Sequence, residues 1–109
     1  MISKINLEKK IHDFEGKPWS PIDITRINDQ IVRMVLVEGE FHWHKHSNED
    51  ELFYVLKGEI IIQLKDQSDV NLKKGEMVVI PKGIQHCPKS SEPSYVVLFE
   101  PSVLNTKGD

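Results

Sequence analysis

The sequence predicts an all-β fold, a sandwich or a barrel, in a single domain. The chain has 109 residues, which is the size of one domain and leaves no room for two cores. Hydrophobic residues make up 39% of it and charged residues 28%, close to the averages of globular domains. After residue 30 the apolar residues stand in short segments separated by glycine, proline and charged turns. These observations exclude a disordered, collagen-like or coiled-coil chain.

The predicted strands are segments rich in Ile, Val, Phe and Tyr, the residues that strands prefer. They cover residues 31–38, 40–46, 52–56, 59–65, 70–72, 77–80 and 95–100. Lys57 and Gly58 join two of them as a tight hairpin, because glycine readily takes the positive φ that such a turn requires.

The first 30 residues follow a different pattern. Residues 7–14 fit either a short turn of helix or an edge strand. Pro18 and Pro21 argue against a central strand around Trp19, which is expected to anchor this stretch. We predict that residues 1–30 form an arm that packs on the barrel or on a dimer partner.

The rest of the chain divides into a barrel, residues 31–101, and a polar C-terminal tail, residues 102–109, that is expected to fray. Small jelly rolls bury only about two thirds of their unfolded surface, and their edge strands need cover. A homodimer is therefore expected, with an N-terminal strand over residues 1–7 packing on a partner or across the barrel.

Charge and hydropathy exclude two kinds of partner. The chain has 14 lysine and arginine residues against 17 aspartate and glutamate, a formal net charge of −3, so nucleic acid is not expected. Its apolar runs fall far below the roughly 18 residues that cross a bilayer, and no apolar leader segment opens the chain, so no membrane association is expected. The single cysteine, Cys87, favours a cytoplasmic location; it is expected to be a small buried residue, with a reactive or ligating role as the alternative.

The residues that can carry chemistry are concentrated between Gly39 and Glu51. On a strand, alternate side chains share a face, so His42, His44 and His46 are predicted to point the same way. Two imidazoles two positions apart can converge on one metal ion, and His44 with His46 is that pair. An antiparallel return after the next turn would bring the carboxylate of Glu51 back toward them.

The neighbouring side chains are predicted to do less. Phe41 and Trp43 fall on the opposite face, as core or dimer-interface aromatic residues. Glu49 and Asp50 are expected to be solvated turn carboxylates, although a strand that begins one residue earlier would let Asp50 compete with Glu51.

Two motifs in this sequence resemble those of the cupins. The first consists of Gly39, His44-Lys45-His46, Glu51 and Gly58, and the second of Gly75, Pro81-Lys82-Gly83 and His86. Two positions depart from the cupin pattern: four residues rather than five separate Gly39 from His44, and Ser90 stands where asparagine is expected. The chain looks most like the small single-domain bacterial cupins.

The resemblance implies a jelly-roll barrel, also called a double-stranded β-helix, with a metal ion inside. The implied ligands are His44, His46, Glu51 and His86. They suit one divalent transition metal ion, iron, manganese, nickel, zinc, cobalt or copper, and they leave one or two positions for water or substrate. Ligand type does not choose among these metals.

A small-molecule metalloenzyme is the leading functional hypothesis, acting on a small polar molecule as a dioxygenase or as a Lewis-acid isomerase or cyclase. His42 is expected to line the pocket rather than to bind the metal, and it is the candidate catalytic residue for moving protons, with Glu49 as the other candidate. The alternative is a non-enzymatic barrel that binds or senses a small molecule with the help of a metal.

Overall fold

The computed structural model describes residues 2–109, and over this range it consists mostly of antiparallel β structure. A short helix, α1 (Leu7–Lys10), runs into a 3₁₀ turn (Ile11–Phe14). The strands that follow are β1 (Ile22–Ile27), β2 (Gln30–Glu40), β3 (Glu51–Lys57), β4 (Glu59–Leu64), β5 (Val70–Lys73), β6 (Met77–Ile80) and β7 (His86–Pro101). Within residues 2–109, no helix has the length and apolar character needed to cross a membrane.

The long strand β7 closes the barrel. Along one edge it pairs with β2 over nearly its whole length. Along the other edge its first residues pair with β4 and its later residues pair with β3. The strand order is β1-β2-β7-β3-β6, with β5 paired to β4. A strand that changes partners in this way joins two sheets into one jelly roll, so the predicted double-stranded β-helix is confirmed.

The barrel interior is filled by alternate residues of its strands, as the pleat requires. Branched aliphatic side chains and one phenylalanine make up this core: Val35, Val37, Phe53, Val55, Ile60, Ile62, Leu72, Ile80, Val96 and Leu98. Each is less than one tenth exposed. The metal-ligand candidates extend the same inner surface at one end of the barrel.

A second cluster forms on the outer face of β2 and β7, where Met34, Leu36 and Val97 are buried. The N-terminal segment covers them: Phe14 is 4% exposed, and its ring lies 5.7 Å from that of Tyr95. Residues 7–14 were expected to form either a short turn of helix or an edge strand. They form the helical turn, and they pack on their own barrel.

The N-terminal region differs from the sequence expectation in two ways. β1 was not predicted, although Ile22 and Ile24 alternate with polar residues, because Pro18 and Pro21 directly before it are typical of an irregular stretch. The strand expected over residues 1–7 does not form: residues 2–6 have no regular structure, and Met1 lies outside the described residues.

The predicted strand 40–46 was also wrong. β2 ends at Glu40, and residues 41–50 form a loop with a single β-bridge, between His44 and His86. The chain leaves the sheet here because the pairing register shifts between Val37 and Gly39, and Gly39 takes a φ of 79°. Strand alternation therefore does not govern which way the histidines point.

The C-terminal half of the barrel is more regular than expected. β7 begins at His86, nine residues before the predicted strand. This first part was not predicted because Pro88 and Pro93 are residues that strands seldom contain. The tail does not fray as expected: Leu104 is 3% exposed, and the backbone N–H of Ser102 donates to the carbonyl of Asp29. This tail returns across the loop of residues 41–50.

Candidate metal centre

The loop that carries two of the histidines is bound to the segment that carries the third. His44 and His86 exchange two backbone hydrogen bonds, with N–O distances of 3.0 and 2.8 Å. The N–H of Gly83 donates to the carbonyl of His46 at 2.8 Å. The proline and glycine of the second motif thus shape a turn that holds both ligand-bearing segments together.

The start of β3 decides which carboxylate faces inward. β3 begins at Glu51, opposite Ile80, and the Glu51 side chain is 3% exposed. Asp50 is exposed, and its carboxylate accepts a hydrogen bond from the N–H of Lys82 at 2.8 Å. Asp50 therefore has a partner elsewhere and does not compete with Glu51.

The structure brings together the four side chains that the motifs singled out. His44, His46, Glu51 and His86 each offer a donor atom, and these atoms all lie within 4.8 Å of one another. The Nε2 atoms of His46 and His86 lie 3.2 and 3.6 Å from Oε1 of Glu51. His46, Glu51 and His86 are buried, and His44 is partly exposed.

The donor atoms fit a metal ion because they have no other partner. Within residues 2–109, Nε2 of His46, Nε2 of His86 and Oε1 of Glu51 are buried and make no hydrogen bond. Buried polar atoms left unpaired are costly, and several of them converging on one point are what a bound cation would satisfy. A mixed nitrogen and oxygen donor set suits a divalent transition metal.

Backbone carbonyls fix the orientation of two of the imidazoles. Nδ1 of His44 lies 3.0 Å from the carbonyl of His42, and Nδ1 of His86 lies 3.0 Å from the carbonyl of Ile84. A carbonyl can only accept, so Nδ1 carries the proton in both rings. The Nε2 lone pairs are thereby left free to bind a metal.

The charge states also suit metal binding. Burial, together with the nearby His86 and His46, lowers the pKa of His44 to about 4, although its bond to the His42 carbonyl opposes this. Burial raises the pKa of Glu51, but the nearby imidazoles of His46 and His86 outweigh burial and lower the pKa overall. Near neutral pH the site therefore offers a neutral His44 and an ionised Glu51.

Glu100 is a buried acidic residue that the sequence interpretation missed. It is 1% exposed, on the inner face of β7, and both of its carboxyl oxygens lack a hydrogen-bond partner in the described chain. Burial and the charge of Glu51 raise the pKa of Glu100 to about 9, even though Arg33 lies 3.6 Å away and opposes the shift. The sequence does contain a signal for this position. Side chains alternate along a strand, so Glu100 falls on the same face as the apolar residues Leu98 and Val96.

A narrow cavity of about 40 Å³ leads from His44 and Glu51. Its walls are almost entirely apolar, and they are formed by Trp19, Pro21, Val35, Val37, Phe41, Phe53, Pro88 and Leu98. Phe41 was predicted on the opposite face and lies instead on the cavity wall, because its backbone is in the loop and not in a strand. A wider surface depression, beside Glu40 and Glu92, does not border the four donors.

His42 lies beside the site but does not line the cavity. Its side chain is exposed, and its ring centroid is 5.2 Å from that of His44. Nε2 of His42 donates to the carbonyl of Lys107 at 2.8 Å, which leaves Nδ1 without the proton in the neutral ring. Glu49 is partly buried, and Trp43 is 46% exposed.

Cys87 is fully buried next to His86. Its Sγ lies 3.6 Å from the carbonyl of Phe41, and burial raises the pKa of the thiol. A buried thiol with a raised pKa is a poor nucleophile, which favours the packing role over a reactive one.

Comparison with known proteins agrees with the barrel and its motifs. The family model described as the cupin domain matches residues 32–100. This chain is a cupin. The matched range contains all four donor residues and the whole inner core.

Relatives of this cupin include proteins with and without a described activity. YdbB of Bacillus subtilis (strain 168), an uncharacterized protein, is 43% identical over 67 residues, which are 62% of this chain and 59% of YdbB. The 3-hydroxyanthranilate 3,4-dioxygenase of Xenopus laevis is 26% identical over 114 aligned residues, which span 100% of this chain and 40% of the enzyme. The cupin thus covers only about half the length of these relatives.

Among solved structures, a cupin-2 domain protein from Shewanella frigidimarina is similar over nearly its whole length. It is 42% identical, with a TM-score of 0.85, and the match covers 89% of this chain and 93% of that one. The fold and the bacterial cupin family are therefore shown by sequence and by structure.

Proposed function

We propose that this cupin is a metal-dependent enzyme that acts on a small molecule inside the barrel. The observation that carries the proposal is the convergence of three buried, unpaired donor atoms, on His46, Glu51 and His86, next to the oriented imidazole of His44. When bound, a divalent transition metal would supply Lewis-acid polarisation of a substrate oxygen or activation of dioxygen.

The chain's own residues hold and shield the site. His44, His46, His86 and Glu51 would be the ligands, and the carbonyls of His42 and Ile84 keep two of the rings in the binding tautomer. Four protein donors leave one or two positions open to substrate or water, which distinguishes a reactive site from a closed structural one. The apolar walls limit access of bulk water.

Dioxygenase chemistry is the first branch of this proposal, because a relative with that described activity aligns along the whole chain. It requires iron. Isomerisation or cyclisation by a Lewis acid is the second branch and tolerates manganese, nickel, cobalt, copper or zinc. His42 is the proposed proton carrier in either branch: its Nε2 donates to the backbone carbonyl of Lys107, and its Nδ1 is available to accept a proton.

A non-enzymatic binding or sensing barrel is the second candidate function. The observation that favours it is the cavity wall, where the described lining offers no acid or base besides His44, Glu51 and Lys107. If the metal-loaded protein binds a small molecule but shows no turnover in oxygen-uptake and product assays, the binding or sensing function is the correct one. For both candidates we propose a cytoplasmic location, because Cys87 is a free thiol.

We further propose a homodimer built on the outer face of β3, β6 and β7. Phe99, Met77 and Val79 are 37, 58 and 50% exposed on this face, and β6 pairs with β3 alone among the described strands. Ile2 is also fully exposed, so apolar surface lies both on this face and at the start of the N-terminal segment. Sedimentation of a monomer at micromolar concentration would exclude this assembly.

The metal content of untagged protein purified without oxygen tests the main proposal. We expect about one equivalent of a transition metal, lost in His46→Ala and kept in His12→Ala, whose histidine is exposed and remote from the site. A redox metal leads next to oxygen-consumption assays, and zinc, manganese or nickel leads to isomerase screens. Absence of metal after reconstitution would overturn the metalloenzyme proposal.

A further inference from the structure

We infer that the ligand of this site is a compact molecule with an uncharged hydrocarbon body and an oxygen-donor head that faces the metal. The inference rests on the proposed metal-dependent function and names the substrate class of that same cavity. Its basis is the distribution of polar atoms along the cavity wall.

The deep wall of the cavity offers carbon atoms alone. Val35 and Val37 contribute from β2, Phe53 from β3 and Leu98 from β7. These side chains are less than one tenth exposed and contain no hydrogen-bonding group. A hydroxyl, amide or ammonium group of a ligand would lose its hydrogen bonds to water there without replacing them.

The outer wall is apolar as well, even where it includes a tryptophan. The rings of Trp19 and Phe41 stack with centroids 4.6 Å apart and an interplanar angle of 18°. The indole N–H of Trp19 donates to the carbonyl of Glu38 at 3.0 Å. Because that donor is already used, the cavity meets the ring carbons of Trp19.

The polar residues that line the cavity lie on its metal side. These are His44 and Glu51, together with Thr106 and Lys107 of the tail, whose next residue, Gly108, lies so close to His44 that a Cβ there would be 2.6 Å from Cβ of His44. A ligand that fits this pattern carries its oxygen atoms on one side, where the open coordination positions are, and hydrocarbon elsewhere. The free volume between these walls is about 40 Å³, so the part of the ligand enclosed there must be small.

A matched pair of metal chelators tests the inference. Propionohydroxamate and glycine hydroxamate have the same head, and their bodies differ in a methyl against an ammonium group of similar size. Binding is measured by the visible absorption of the cobalt(II)-loaded protein in mildly acidic buffer, where the amine is protonated. Each affinity is divided by that of the same probe for cobalt(II) in buffer.

We expect propionohydroxamate to bind about tenfold or more tightly than glycine hydroxamate after this correction. Equal binding, or tighter binding of the charged probe, would overturn the inference. Cobalt content, measured first, separates the two proposals: absent cobalt contradicts the metal site, whereas loaded cobalt with the wrong order contradicts the substrate class alone.

Two valine variants locate the selectivity in the wall. Val35 and Val96 are cross-strand partners in the core, and Val35 borders the cavity while Val96 does not. Val35→Thr should reduce the preference for propionohydroxamate about threefold or more, and Val96→Thr should leave it unchanged. An unaltered preference in Val35→Thr, or an equal loss in both variants, would contradict an apolar binding wall. The cobalt spectrum without probe reports whether each variant keeps its site.

Discussion

The carboxylate of Asp109 accepts hydrogen bonds from both the backbone N–H and the hydroxyl of Ser47, at 3.1 Å each. Ser47 directly follows His46. On the other side of that histidine, the carbonyl of Lys45 accepts from the N–H of Asp109 at 3.1 Å. The C-terminal tail therefore clasps the loop on both sides of a proposed ligand, and the order of the loop depends on residues some 60 positions away in the chain.

Asp109→Ala should weaken metal binding without unfolding the barrel. The lost bonds are exposed, so we expect an effect of about 0.5–1 kcal/mol, or roughly two- to fivefold in affinity. Competition with a chelator measures it, and Asp69→Ala, at an exposed turn, is the control. If Asp109→Ala binds metal as the parent protein does, the bridge between His44 and His86 is sufficient to order the loop.

Gly108→Ala should reduce metal affinity more than Gly75→Ala does. Both glycines have a positive φ, of 94° and 88°, so each substitution introduces backbone strain of about 1–2 kcal/mol. A Cβ on Gly108 would also lie 2.6 Å from Cβ of His44, whereas one on Gly75 meets no atom within 4 Å. Thermal unfolding measures the shared strain, and cobalt(II) titration measures the displacement of His44. Equal metal affinities in the two variants would show that the tail moves away and that His44 keeps its position.

The metal-free protein should lose stability as the pH rises from about 6.5 to about 9. Glu100 has a folded-state pKa raised from 4.5 to about 9, so above pH 4.5 it binds a proton in the folded protein and not in the unfolded chain. Its stabilising contribution is complete below pH 4.5 and is lost as the pH approaches 9. Because one proton is involved, the free energy of unfolding should fall by at most about 1.4 kcal/mol per pH unit.

His44 acts in the opposite direction over a lower range. Its folded-state pKa of about 4 lies below the ordinary 6.5, so stability falls as the pH drops from 6.5 toward 4. The two groups therefore compensate between about pH 4.5 and 6.5. Urea unfolding of chelator-treated protein across this range is the measurement, and Glu100→Gln should flatten the alkaline limb. An alkaline limb that persists in Glu100→Gln would assign it to another group.

Gly58→Ala should be the most destabilising of the glycine substitutions considered. Gly58 has a φ of 94°, and a Cβ there would lie 2.8 Å from Cβ and 2.9 Å from Cα of Ser94. Ser94 is fully buried and bonded to Ser90, so it has no room to move away. We expect a loss of about 2–4 kcal/mol in the free energy of unfolding. Gly16→Ala, with a φ of 75° and open space around it, measures the backbone contribution alone.

Local sequence order determined the parts of this protein that depend on neighbours in the chain. Short segments rich in Ile, Val, Phe and Tyr between turns identified β3, β4, β5 and β6 to within about one residue, because strands prefer these residues. The resemblance of the two motifs to those of the cupins implied His44, His46, Glu51 and His86, and the structure places these four together. The strand segments and each motif are local features, so they can be seen in a single sequence.

The tertiary structure alone decided how those residues are surrounded. The loop of residues 41–50 has no period of its own, so Phe41 reaches the cavity wall and His42 turns to Lys107 through contacts with distant segments. Glu100 meets Glu51 because β7 runs beside β3. Hydrogen bonds at Lys107 and Asp109 hold the tail on that loop. The contacts from the tail join residues 65 and 62 positions apart, and no local pattern specifies them, because their energy exists only once the barrel has closed.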